Sequence, residues 1–117
     1  MKNRSMQEPT FLILTALAAG PQHGYGIITD VLEISGERVR LRAGTLYAAL
    51  DRLQGERLIE TDHEEVVDGR ARRYYRLTTE GAARLSAEAE RLRRNADTAA
   101  ARLRRGPAAR PSLGGAS

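Results

Sequence analysis

The chain offers little for covalent or metal chemistry. Its 117 residues include two histidines, no cysteine, and 15 acidic against 19 basic side chains. His23 and His63 are far apart, and neither has a metal-ligand neighbour at helical spacing. Without cysteine there is no thiolate site, no disulfide scaffold and no thiol nucleophile. Most carboxylates have an arginine three or four residues on, or across an expected strand, so they form ion pairs rather than acid/base dyads. Gly24 and Gly26 in "HGYG" do not make a phosphate loop, because no Gly-Lys-Ser/Thr follows and no strand leads in. Catalysis, a metal site and a bound cofactor are therefore not expected.

Binding chemistry is better supplied. The net charge is +4 and the isoelectric point about 10.1, a balance that suits a polyanionic partner without requiring one. In "RLRAGTLYAALDRL" (40–53), a wheel at about 100° per residue gathers Leu46, Ala49, Leu50 and Leu53 on one face. Gly44, Tyr47, Ala48, Asp51 and Arg52 gather on the other. That outer face is small and mixed, unlike the Glu/Lys surface of an ordinary solvated helix. Small residues at a helix start let the backbone come close to a ligand, and the N–H groups there can meet a phosphate. Tyr47 can give its hydroxyl to a phosphate, and Arg52 can reach a phosphate or a guanine.

The elements that must position these residues follow from periodicity and punctuation. Pro9 suits a first helical turn, and "PTFLILTALAAGP" is an apolar helix ended by Gly20-Pro21. It is apolar almost all round and needs cover on several sides. A second helix follows "QHGYG", carrying Ile27, Ile28, Val31 and Leu32, and ends at Ser35-Gly36. "ERVRLR" (37–42) alternates apolar and basic residues as a short strand does. After the third helix, "ETDHEEVV" and "RARRYYRLT" flank Asp68-Gly69, a two-residue hairpin turn. A tight turn sets Glu65 opposite Arg72 and Glu64 opposite Arg73, with Arg70, Arg72 and Arg73 together at the tip. The last helix opens at "TTEG", runs to about Arg105 and stops at Gly106-Pro107. Leu85, Leu92 and Ala99 recur every seven residues, as do Ala89, Ala96 and Leu103, which is a dimer-seam pattern. Glu80–Arg84 and Glu90–Arg94 are spaced as side-by-side ion pairs. The longest apolar run is about half the ~20 residues of a membrane span, so a cytoplasmic protein without a membrane partner is expected.

Helix, helix, short strand, helix, basic hairpin is the order of a helix-turn-helix with a wing. The fold class expected is mainly α (α+β), a winged helix-turn-helix with a two-stranded wing and a C-terminal dimerisation helix. "LTALAAGPQHGYGI" (14–27), "GTLYAALDRLQGERLIE" (44–60) and "DGRARRYYRLTTEG" (68–81), in this order, resemble the short form of the PadR family of bacterial transcriptional regulators. The resemblance covers about residues 9–105. It implies a homodimer on the double-stranded DNA of an inverted-repeat operator, repressing and released by a small-molecule effector at or near the dimer interface. By position, it implies DNA contacts at His23, Tyr25, Arg42, Gly44, Thr45, Tyr47, Ala48, Arg52, Arg70, Arg72 and Arg73. The dimer interface is expected at Leu85, Ala89, Leu92, Ala96, Ala99 and Leu103.

Three positions depart from the family pattern: Arg42 for a frequent capping serine, Ala48 for a frequent proline, and Asp51 for a basic residue. Thr45 is an alternative cap, which would shorten the third helix by a turn. The chain divides into a flexible N-terminus (1–8), a DNA-binding domain (9–78), the dimerisation helix (79–105) and a disordered tail (106–117). A reading of another class remains: a winged-helix interaction module whose basic wing and last helix dock an acidic protein.

Overall fold

The computed structural model describes residues 6–107. Part of the expected flexible N-terminus and nearly all of the expected tail lie outside the described residues. The element order is α1 (Glu8–Ala18), β1 (Gln22–His23), α2 (Gly24–Ile34), α3 (Ala43–Gly55), β2 (Ile59–Val67), β3 (Arg70–Leu77) and α4 (Thr79–Arg105). The strands form one antiparallel sheet in the order β1-β3-β2. This is the winged helix-turn-helix expected, with a third strand added to the two-stranded wing.

Ile13 and Leu14 of α1, Ile27 and Val31 of α2, and Leu46, Leu50 and Leu53 of α3 are inaccessible to solvent, together with Leu58 and Ile59 where the hairpin begins. Burial of each such side chain contributes about 1.5–3 kcal/mol before the entropy of ordering is subtracted. The all-round apolar α1 is covered by α2, β3 and α4. Its exit is made by Gly20, at φ 146°, just before Pro21.

Two local readings change. α2 begins at Gly24, within "QHGYG", because the His23 side chain caps it. "ERVRLR" is no strand: residues 38–42 belong to no helix or strand. Val39 and Leu41 still pack, half-buried, against the core. The alternation therefore reported one-sided burial, and not a hydrogen-bonded neighbour. The free edge of β3 is taken instead by Gln22 and His23, opposite Tyr75 and Tyr74. A short strand thus does lead into "HGYG".

The hairpin forms as its turn residues require. Asp68 and Gly69 have φ of 52° and 77°, the pair of positive values that matches the twist of the flanking strands. Glu65 faces Arg72 and Glu64 faces Arg73, and an irregularity between Thr61 and His63 bends β2.

α4 is anchored at its start. The Thr78 hydroxyl accepts from the Gly81 N–H at 2.9 Å and donates to the Arg57 carbonyl at 2.8 Å. The Thr78 N–H reaches the Leu58 carbonyl at 3.1 Å. Gly81 is buried with that same carbonyl against its Cα, where any Cβ would collide with backbone. On α4 the ion pair that forms is Glu88–Arg91; Glu80–Arg84 and Glu90–Arg94 are not among the ion pairs of the described residues. Arg91 grips both carboxylate oxygens of Glu88 and holds its carboxyl below the ordinary range.

Gly81→Ala must push α4 off the hairpin base and should destabilise the fold by about 2 kcal/mol or more. Gly55 faces open space at ordinary backbone angles, so Gly55→Ala should be neutral or stabilise by up to about 1 kcal/mol. Urea midpoints of the two variants against the parent check this; equal midpoints would refute the close approach at Gly81.

Candidate nucleic-acid interface

α3 turns its three leucines inward and exposes its front. Ala43, Gly44, Thr45 and Ala48 are exposed, and Tyr47 is 46% exposed. The helix starts at Ala43 with Arg42 as its N-cap, and no side chain accepts a bond from its first turn. Thr45 is therefore not the cap, and the helix is not shortened. With those first N–H groups unclaimed by any cap, the exposed small residues leave them open to an acceptor.

The start of α2 joins α3 to the wing. Gly24 is buried directly beneath the Tyr47 hydroxyl, with no room for a methyl group between them. One residue earlier, His23 Nδ1 accepts the Gly26 N–H at 3.2 Å, and Nε2 lies 3.4 Å from Arg72 Nη1. Tyr25, beside them, is 72% exposed. Tyr47 and Arg72 are thus brought to one neighbourhood by His23, the N-cap of α2, and Gly24, its first residue, with Tyr25 next in the chain.

Other expected site residues go elsewhere. Arg52 donates to the Thr10 hydroxyl at 3.0 Å and lies 3.9 Å from Glu56. It is about 140° around α3 from Tyr47, at 100° per residue, and braces α3 against α1. The three wing arginines do not cluster, because strand side chains alternate. Arg70 and Arg72 share one face. Arg73 is on the other, bonded to Glu64 at 3.3 Å. Glu65 faces Arg72 in register but bonds to the Tyr74 hydroxyl at 3.1 Å and His63 Nε2 at 3.4 Å. That leaves Arg72 to His23.

Tyr74 was not singled out from sequence, yet it sits between both histidines. His63 stacks on it at 4.4 Å, and His23 meets its edge at 5.2 Å. The two imidazoles titrate in opposite directions. Burial, then the Arg72 charge, pushes His23 below its ordinary value, opposed by Glu65. Hydrogen bonding to Asp62 pushes His63 up, aided by Glu65. No group of three or more His, Cys, Asp or Glu suited to a metal occurs among the described residues.

A depressed folded pKa means that the unfolded chain takes the proton more readily. His23 therefore contributes stability above pH 6.5 that is lost as pH falls through its folded value. For His63 the contribution is full below pH 6.5 and fades as pH rises through its raised value. His23→Asn should lose less stability than the parent between pH 7.5 and 5.5, and His63→Asn should lose more. Urea unfolding at the two pH values checks both; parallel losses in all three proteins would contradict the assignment.

Comparison with known proteins agrees with this fold. Residues 13–87 match the family described as "Transcriptional regulator PadR-like family". The transcriptional regulator Rv3488 of Mycobacterium tuberculosis is 43% identical over 60 residues, covering 51% of this chain and 55% of that protein. The crystal structure of a PadR-like transcriptional regulator from Bacillus cereus superposes with a TM-score of 0.68 at 26% identity, over 83% of this chain and 91% of that one. Bacillus subtilis PadR in complex with operator DNA has the same fold, with a TM-score of 0.62 at 23% identity over 69% of this chain and 46% of that one. The family match spans well over half of the sequence: the chain belongs to the PadR-like family of transcriptional regulators and is not an enzyme.

Proposed function

We propose that the chain acts as a homodimeric repressor that binds an inverted-repeat operator and is released by a small-molecule ligand. The observation that carries the DNA-binding part is the start of α2. There, one turn of backbone holds Tyr47 of α3 and Arg72 of the wing beside the exposed small residues of the α3 front. In this reading α3 enters the major groove, Tyr47 and Arg72 meet phosphates, and Gly44 and Thr45 let the helix come close. Asp51 belongs to the same exposed face, where it can accept from a cytosine amino group. The solved complex of Bacillus subtilis PadR with operator DNA shares this architecture and supports the assignment.

The dimer reading is supported by α4. Leu85 and Ala89 are half-buried against their own domain, but Leu92 is 38% exposed, Leu103 81% exposed, and Ala96 and Ala99 are open. These positions form one stripe on a helix of 27 residues. A stripe of that length finds cover on a second copy. The ligand would sit at or near this seam, where Ala89, Ala96 and Ala99 keep side-chain volume low. Cytoplasmic action belongs to the same reading; no described helix is long and apolar enough to cross a membrane.

Operator sites can be selected from random duplexes by the protein itself. Tyr47→Phe should then weaken binding severalfold across sequences, and Arg72→Ala should also lower the slope of log affinity against log salt by about one. If no sequence-specific complex forms at moderate salt, the basic wing serves protein docking instead. Leu92→Glu should sediment as a monomer and lose operator binding; a dimer that survives the change would remove α4 as the seam.

A further inference from the structure

Three glutamates of β2 stand opposite an arginine of β3: Glu60 with Arg76, Glu64 with Arg73 and Glu65 with Arg72. Cross-strand partners have Cβ atoms about 5 Å apart, so long side chains of opposite charge ordinarily meet. Two of the pairs do. Arg76 Nε donates to Glu60 at 2.8 Å, and Arg73 Nε donates to Glu64 at 3.3 Å. Among the described residues the third pair stays open, and it is the one beside His23. Glu65 Oε1 accepts the Tyr74 hydroxyl at 3.1 Å instead, and Oε2 lies 3.4 Å from His63 Nε2. His63 lies flat on the Tyr74 ring, with Nδ1 against Asp62, which also accepts from Arg76. His23 stands at the edge of the same ring. Only an imidazolium donates from both nitrogens. A neutral His63 keeps its proton on Nδ1, toward the closer carboxylate of Asp62, and turns a lone pair on Nε2 toward Glu65. Two acceptors then face each other, and Glu65 Oε2 is freed with Arg72 opposite it in register.

We infer that Tyr74 and His63 are positioning residues for DNA binding: they withhold Glu65 from Arg72, and loss of the His63 proton lets Glu65 close on that arginine. This deepens the proposed function and rests on it. Neither ring touches DNA in this scheme. Each holds one oxygen of a carboxylate that would otherwise neutralise the wing. Hydrogen bonding to Asp62, then to Glu65, raises His63 and so puts the change on the alkaline side of its ordinary value. Arg72 is therefore open below that raised value and paired above it. His23, lowered by burial and by Arg72, is already neutral where His63 titrates.

Affinities would be measured at pH 6.5 and 8.5 on a duplex selected by the parent protein. We expect the parent to bind about fivefold more weakly at the higher pH, part of the worth of one hydrogen bond to a charged group. His63→Asn removes the Nε2 donor and should bind at the parent's weaker level at both pH values. Tyr74→Phe keeps the stacked ring but frees Oε1, and should bind about twofold to threefold more weakly at pH 6.5. Glu65→Gln removes the competitor and should bind at the parent's tighter level throughout. In an Arg72→Ala background Glu65→Gln should gain nothing, because the two residues act as one pair. A pH response that survives His63→Asn, or a Glu65→Gln gain that persists without Arg72, would overturn the inference. Nitrogen-15 spectra of the free protein repeat the test without DNA. The Arg72 guanidinium signal should move with the His63 titration in the parent and stay nearly fixed in Glu65→Gln. An Arg72 signal indifferent to that titration also overturns the inference. If Arg72 responds but the parent selects no duplex, it is the DNA-binding reading that has failed.

Discussion

The contact on which the interface depends is the close approach at the start of α2. Gly24 has no side chain, so the Tyr47 hydroxyl lies on the α2 backbone and α3 is set at a defined height and rotation. One residue back, the chain is still a strand, and β1 pairs Gln22 and His23 with β3 of the wing. Two residues therefore register three elements: α3 through a steric fit, the sheet through backbone hydrogen bonds, and α2 through the His23 cap. Nothing bulkier than glycine would admit the tyrosine.

A second close approach does the same for the far half of the molecule. Leu58 ends the turn out of α3, and its carbonyl is met by the Thr78 N–H and pressed against Gly81. The first turn of α4 is thereby seated on the junction between α3 and β2. A displacement of α4 is transmitted to that junction through backbone rather than through flexible side chains. Rigid contacts of this kind move as units instead of deforming gradually.

The wing is electrostatically divided, and the division follows from the pleat. On one face Arg73 is neutralised by Glu64. On the other, Glu65 is drawn to Tyr74 and His63, and Arg72 keeps its charge for His23 and whatever lies beyond. Arg76 is likewise held by Glu60 and Asp62 nearer the base. Arg52, Arg73 and Arg76 are therefore engaged within the protein, and placement matters more there than net charge.

Much was legible in the sequence because it depends on neighbours along the chain. The leucine face of α3, the positive φ pair at Asp68-Gly69, the cross-strand register of the hairpin and the limits of α4 are all set by residues a few positions apart. The exposed front of α3, hence half of the candidate site, could be read the same way. What the sequence could not settle was who faces whom at long range. The alternation in "ERVRLR" was real burial without a partner strand, because the β3 edge had been taken by two residues with no periodicity of their own. Arg52 looked free on a helical wheel, but the tertiary fold brings Thr10 of α1 within its reach. Glu65 and Arg72 were matched correctly in register, yet tyrosine and histidine rings competed for them. Local periodicity determines which side of an element is buried. The choice among several compatible partners is made by tertiary packing, which alone brought His23, Gly24, Tyr47 and Arg72 together.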